Sequence, residues 1–136
     1  MILVAKTKQE INIAKEILNE RIYLQPTNEF KALLLLDKRH RISWIVGYDG
    51  RIGKTMQMHV ANVSENSFLP KVFIVSAFDY PFNYLNIDIV FGIVNGANKK
   101  AMNFDKKLGF TEKMRWKGMH DDGGDLVLFE MHKKKL

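Results

Sequence analysis

The 136-residue chain contains no cysteine. This absence excludes a disulfide framework, a thiolate nucleophile and a cysteine-ligated zinc site. Long apolar runs are also lacking, since none approaches the roughly 20 residues that a membrane-spanning helix needs. The first residues, Met1 to Lys6, do not show the basic and then apolar pattern of a secretory signal. We therefore expect a cytoplasmic protein that does not contact a membrane.

Features that would divide the chain are scarce. It has three prolines, no glycine/serine-rich linker and no internal repeat. Hydrophobic residues make up 46% and charged residues 26%, a balance typical of globular proteins. We expect one domain over residues 1–136.

Acidic residues are outnumbered by basic ones, 15 against 21, which gives a net charge of +6. Between residues 99 and 117 seven lysines or arginines stand against two acidic residues, so most of the excess lies there. Such a patch suits a phosphorylated small molecule or a nucleic acid, and as a solvated helix face it needs no ligand at all. The sequence leaves these alternatives open.

The hydrophobic periodicity predicts a mixed α/β (α+β) domain in which helices interrupt a largely antiparallel sheet. An Asp49-Gly50 pair, followed by Gly53, predicts a hairpin turn. Gly109 predicts the end of the last helix. Predicted strands cover residues 2–5, 32–37, 41–48, 55–63, 87–94, 110–117 and 126–131, and predicted helices cover 11–22, 71–79 and 98–108.

One segment matches a known pattern. The pattern is N-x-x-A-x-x-(hydrophobic)-Y-x-x-(hydrophobic)-G-F, and the segment is 98–110. Together with the order of elements, this segment resembles the GNAT superfamily of N-acyltransferases. The stretch 122–131 resembles the closing hairpin of that family, and the compact chain is similar to acetyltransferase-like proteins of tailed phages. The matching positions are Asn98, Ala101, Phe104, Leu108, Gly109 and Phe110.

The resemblance implies that acetyl-CoA binds in a V-shaped opening between the strand that ends near Val63 and the strand 87–94. It implies a single-domain fold in which the pyrophosphate lies at the start of the following helix, where free amide groups favour phosphate. The pantetheine arm would pair with backbone groups of the earlier strand. The implied cofactor-binding residues are Val60, Ala61, Asn62, Asn66, Ser67, Phe68, Lys71 and Asn98.

The sequence departs from the family pattern at two places. The segment 64–70 has no glycine and carries Glu65, whereas the family's pyrophosphate loop is rich in glycine. The tyrosine that protonates the departing CoA thiolate in the family is replaced by Asp105. As an exposed side chain Asp105 would be ionised at neutral pH and could not donate that proton. Tyr80 and Tyr84 are the candidate donors in its place.

His59 lies on the predicted strand 55–63 and is the candidate general base, because its titration range suits deprotonation of an amine. The alternative is an ordinary sheet histidine. Aromatic residues at every second position from Phe78 to Tyr84 line an acceptor pocket or, as is more common, pack in the core. The acidic turn 120–125 fits hairpin chemistry better than a metal site, and we expect no metal.

The sequence thus predicts an acetyl-CoA-dependent N-acetyltransferase that transfers the acetyl group directly to a primary amine, since the lack of cysteine excludes an acyl-cysteine. The alternative is a catalytically inactive GNAT-fold structural or interaction protein, associated with a phage. A nucleic-acid binder that uses residues 99–117 is a third and weaker reading. Edge-strand pairing also makes a homodimer plausible. The acceptor amine cannot be read from the sequence.

Overall fold

A computed structural model describes residues 1–22, 30–64 and 68–133. Within them seven strands form one mixed sheet and three α-helices cover its faces. The order of elements is the predicted one. The strands are β1 Ile2–Val4, β2 Lys31–Leu36, β3 Ile42–Ile52, β4 Thr55–Asn62, β5 Ile89–Asn95, β6 Thr111–Trp116 and β7 Leu126–His132; the helices are α1 Lys8–Ile22, α2 Lys71–Asp79 and α3 Lys99–Leu108.

The strands lie in the order β1-β2-β3-β4-β5-β7-β6. Neighbours are antiparallel except for β4 and β5, which are parallel. β4 and β5 can be parallel because α2 lies in the crossover connection between them. The expectation of a single, largely antiparallel mixed sheet with inserted helices is confirmed.

Local sequence signals explain where the helices begin and end. Thr7 and Glu10 form a capping box before α1, in which each side chain accepts a hydrogen bond from the other residue's amide, at 2.9 and 3.0 Å. Asn98 caps α3 by accepting a 3.1 Å bond from the Ala101 amide. Gly109 ends α3 with a φ of 106°, which confirms the predicted stop.

Two local predictions were wrong or incomplete. Asp49 and Gly50 do not form the hairpin turn, because β3 continues to Ile52, which pairs with Thr55. Gly50 uses its positive φ of 61° where the β3–β4 register shifts, and Gly53 takes the turn position. After α2 the chain does not pass directly to a strand but continues as a π-helical segment, Tyr80–Tyr84.

Each face of the sheet has its own core. On one face α1 packs through Ala14 and Leu18 against Ile45 and neighbouring strand residues. On the other face α2 and α3 pack through Phe73 and Met102. We call these the α1 face and the α2/α3 face.

Tyr48 ties the second core together. Its side chain is fully buried on the α2/α3 face, and its hydroxyl donates a hydrogen bond to the Ala77 carbonyl near the end of α2. Burial raises the pKa of the Tyr48 phenol well above its usual value, so the phenol stays protonated as the donor. The bond fixes α2 relative to β3, the neighbour of β4.

Candidate functional site

The sheet opens between β4 and β5. Within the described residues the two strands pair at three positions, from Thr55 with Ile89 to Gln57 with Phe91. Beyond Gln57, β4 continues along β3 as far as Asn62, while β5 continues along β7. The pairing of β4 with β5 thus ends at the place where the resemblance implies the V-shaped opening.

The backbone of β4 points alternately away from and into this opening. The Val63 amide donates to the Ser43 carbonyl at 2.8 Å, so alternate residues of the strand direct their backbone groups toward β3. Met58 and Val60 lie between those positions and direct theirs toward β5. Gly92 of β5 faces this edge, and a Cβ added there would lie 3.3 Å from the Met58 carbonyl oxygen. The pair Gln57–Phe91 engages the Met58 amide, so Val60, beyond the paired positions, is the residue whose backbone groups face an extended ligand.

The residues expected to bind the pantetheine arm differ in how they meet the opening. Val60 directs its amide and carbonyl toward the opening, and Asn62 lies two residues further on the same strand. Ala61 pairs with Ile45, is 4% exposed and directs its backbone toward β3. Asn98 is exposed at the start of α3, where its side-chain oxygen already caps the helix.

The residues expected near the pyrophosphate lie around the start of α2. Asn66 and Ser67 fall outside the described residues. Phe68 is 82% exposed and Lys71 is exposed at the first position of α2. Pro70 precedes the helix and provides no side-chain cap, so the first amides of α2 carry no cap from that residue.

His59 lies on the α1 face. It pairs with Gly47, where an added Cβ would meet Leu18 of α1 at 2.5 Å. Burial lowers the pKa of His59 to about 4, opposed in part by the charge of Asp49. Its Nε2 atom is buried and has no hydrogen-bond partner among the described residues. The imidazole is therefore neutral at pH 7 and is a weaker base than a solvated histidine.

Tyr80 and Tyr84 lie on the opposite face. The Tyr80 ring contacts Tyr48 at 5.5 Å and Tyr84 at 6.1 Å between ring centroids, and burial raises the pKa of Tyr80. Both line a cavity beside β1 and β2, while Tyr84 is 76% exposed. The structure thus separates the two tyrosines from His59, with the sheet between them.

Asp105 differs from the exposed carboxylate that the sequence predicted. It follows Ala101 and Met102 by one turn, on the inner side of α3, and is half-buried. It forms no hydrogen bond or ion pair through its side chain with any described residue. Burial raises its pKa to about 6. Asp105 therefore keeps its proton to a higher pH than the exposed carboxylate that was expected, although most of it is ionised at pH 7.

Apolar side chains close the α2/α3 side of the opening. Trp44 of β3 stacks on Phe104 of α3, with ring centroids 6.1 Å apart and planes 16° apart. The space between β4 and the two helices is about 10 Å³, lined by residues that include Val60 and Leu108. The Trp44 Nε1 atom is buried and has no partner in the described part of the chain. Sequence reasoning placed Trp44 in a strand but gave it no role, because its neighbour Phe104 is 60 residues away.

The basic stretch 99–117 is less uniform than its composition indicates. Arg115 bonds to Glu112 at 2.9 Å and to Asp125 at 3.0 Å, so its charge is compensated. The remaining cations are exposed on the outer side of α3 and on β6: Lys99, Lys100, Lys106, Lys107, Lys113 and Lys117.

The described residues give no sign of a membrane span or a metal centre. In the described residues no helix is long and apolar enough to cross a membrane. Nor do residues 1–22, 30–64 and 68–133 contain three or more acidic or histidine side chains grouped to hold a metal ion. In the acidic turn, Asp122 bonds to Asn95 at 2.6 Å and to the Gly124 amide at 2.8 Å.

Models of known protein families give no match to this chain. Characterised protein sequences give none either. Solved structures do match. The spermidine/spermine N-acetyltransferase SpeG from Vibrio cholerae is similar with a TM-score of 0.72 and 16% identity over 97% of this chain and 95% of that one. A dodecameric structure of the spermidine N-acetyltransferase from the same organism gives 0.75 and 16% over 96% and 93%.

A protein assigned as a phosphinothricin N-acetyltransferase is similar with a TM-score of 0.75 and 15% identity, over 99% of this chain and 100% of that one. At such low identity the likeness shows the fold alone. That fold is the one of the GNAT N-acetyltransferases, and the resemblance seen in the sequence is confirmed to that extent.

Proposed function

We propose that this protein is an acetyl-CoA-dependent N-acetyltransferase that transfers the acetyl group directly to a primary amine. The observation that carries the proposal is the opening between β4 and β5 in a chain of this fold. Val60 turns its backbone groups toward it, and Gly92 leaves room for close approach. The fold by itself does not fix an activity, so the site must supply the argument.

The residues around the opening fit an extended thioester ligand. Backbone groups of Val60 would hold the pantetheine arm as a strand-like partner, with Asn62 further along. The start of α2 with Lys71, together with Asn66 and Ser67, would hold the pyrophosphate. Bound there, acetyl-CoA supplies an activated acyl group.

We assign the two proton transfers to His59 and Asp105. Neutral His59 on the α1 face would accept the proton that the amine nitrogen loses, directly or through water. Protonated Asp105 on α3 would donate a proton to the departing sulfur. The amine would then approach from the α1 face. Tyr80 and Tyr84, on the far side of Tyr48, are less well placed for either step.

Titration calorimetry with acetyl-CoA and CoA tests this proposal. We expect binding with a dissociation constant below about 1 mM, near −4 kcal/mol or tighter. Gly92→Val should abolish it, because a branched side chain would extend from a position 3.3 Å from the Met58 carbonyl. Ile93→Val, on the same strand but 44% exposed, is the matched control. Absence of heat and of a thermal shift at millimolar ligand would refute the proposal.

The closed α2/α3 side of the opening favours a second candidate, a GNAT-fold interaction protein without turnover. Its cavity of about 10 Å³ would admit a pantetheine arm only after lining side chains such as Leu69 and Leu108 move apart. An acetyl-transfer assay with spermidine, phosphinothricin and simple alkylamines separates the two candidates. An enzyme should lose about 10²-fold or more of its rate on His59→Gln, whereas an interaction protein has no rate to lose.

A further inference from the structure

A second cavity lies beside the strands at the other edge of the sheet. Its volume is about 610 Å³, within the range of ordinary small-molecule sites. It is bounded by β1 and β2 on one side and by α2 with the π-helical segment on the other. Tyr48 on β3 contacts Tyr80 in its wall and stands between this cavity and β4. The cavity is therefore separate from the opening between β4 and β5.

The two walls of the cavity have different chemistry. The wall formed by the strands and α1 is aliphatic, with Ile2, Val4, Ile11 and Leu33. The helical wall is polar, with Ser76, Asp79, Tyr80 and Tyr84. These polar residues lie close together on α2 and its π-helical continuation and line the cavity, whereas α2 packs on the sheet through the buried Phe73 and Ala77.

The charges around the cavity favour an anion. Lys6 and Lys31 line it and neither ammonium lies within 4.0 Å of a described carboxylate, although Lys6 also interacts electrostatically with Glu10 of α1, which is outside the lining. Asp79 is the acidic residue in the lining, and its carboxylate accepts a 2.6 Å hydrogen bond from the Asn83 side chain. Two cations against one engaged carboxylate leave a net charge of +1, which matches a monoanion better than a dianionic phosphate.

We propose that this cavity binds a small monocarboxylate with an aromatic or branched aliphatic body. The body lies against the aliphatic wall and the tyrosine rings, and the carboxylate lies between Lys6 and Lys31. Hydroxyl groups of Ser76 and Tyr80 are available to any polar substituent. The proposal does not rest on acetyl transfer, since it concerns a different cavity and a direct binding event.

The test is a titration of the ¹⁵N-labelled protein with 4-phenylbutyrate, followed by amide chemical shifts and calorimetry. 4-Phenylbutylamine, which has the same body and the opposite charge, is the control ligand. We expect the acid to shift amides of β1, β2 and α2 and to bind at least about tenfold more tightly than the amine. Equal binding of the two ligands, or no shift with the acid at millimolar concentration, would overturn the proposal.

Variants test the assignment of the charged groups. The double variant Lys6→Glu/Lys31→Glu should bind 4-phenylbutyrate about tenfold or more weakly. The control double variant Lys99→Glu/Lys113→Glu, at exposed but remote positions, should bind it with unchanged affinity. Tyr84→Ala removes a largely exposed wall residue and should also weaken binding. Retained affinity in the Lys6/Lys31 variant, folded by its amide spectrum, would contradict the site. If that variant does not fold, unchanged affinity in Tyr84→Ala would contradict it instead.

Discussion

At the scale of single residues, burial rather than sequence position decides which groups can move protons. His59 and Asp105 are both partly withdrawn from water, and in each case desolvation is the first cause of the shift. The pKa of His59 falls to about 4 and that of Asp105 rises to about 6. Each residue is thereby held nearer its neutral form at pH 7. The same shift weakens His59 as a base, and Asp105 remains mostly ionised at pH 7.

Asp105 also makes the stability of the fold depend on pH. Its pKa is 3.8 in a freely solvated state and about 6 here, so the folded protein holds this proton more tightly. The resulting stabilisation is present below pH 3.8 and is lost as the pH rises through 6. We predict that Asp105→Asn raises the free energy of unfolding by on the order of 1 kcal/mol at pH 7.5, after allowance for residual solvent screening, and by almost nothing near pH 3.5.

Urea unfolding at the two pH values measures this difference. Asp121→Asn, at an exposed turn position, is the control for the loss of one negative charge. A loss of stability in Asp105→Asn at pH 7.5 would mean that the carboxylate makes a stabilising contact, and would contradict the burial argument.

At the scale of the elements, local sequence signals determine where helices begin and end, but they do not determine which helix residues bind a ligand. Asn98 matched the family pattern as a residue facing the ligand, and in the structure its side chain caps α3. The Asn98 side-chain oxygen is engaged in the cap, so its contact with a ligand needs a separate test. The cap explains the residue type at this position, since asparagine and aspartate both accept the hydrogen bond.

We predict that Asn98→Ala lowers the free energy of unfolding by about 0.5–2 kcal/mol, because the Ala101 amide loses its partner. Asn98→Asp retains the acceptor and should be nearly neutral. Thermal and denaturant unfolding measure both effects. If Asn98→Asp is as stable as the parent but binds acetyl-CoA more weakly, the amide also serves the ligand. Equal stability of all three proteins would rule out the cap as a contributor.

Much of the element order was predictable because it depends on local periodicity. Helix 71–79 was predicted with its observed bounds, and most strands agree to within two residues. The prediction of a turn at Asp49-Gly50 failed because a positive φ suits a bulge as well as a turn. Only the pairing of β3 with β4 distinguishes the two. The π-helical segment Tyr80–Tyr84 was missed because no periodicity marks it.

At the scale of the whole molecule, the strand order leaves one edge uncovered. All six residues of β6 are exposed, and β6 is the outer strand of the sheet. Ile93, Leu128 and Met114 form one row across β5, β7 and β6, and Ile93 and Met114 are 44% and 47% exposed. Such a row with a free edge is typical of an association surface.

A second copy of the chain is the partner that we expect on this surface. The lysines of α3 lie on the opposite face, so they neither repel a second copy here nor attract nucleic acid to this row. We predict a dimer in sedimentation experiments, weakened by Trp116→Glu and unaffected by Val75→Glu, a comparably exposed apolar residue on α2. A parent protein that stays monomeric at high concentration would contradict this prediction.

The sequence by itself determined the fold class and the order of the elements. Those properties follow from periodicity, caps and turns, which act over a few residues. It also determined that no cysteine takes part in the chemistry. Tertiary structure decided everything that depends on distance between remote residues: the separation of His59 from Tyr80, the stack of Trp44 on Phe104, and the burial of Asp105. Desolvation and packing act through space, so only the folded sheet could bring these groups together or keep them apart.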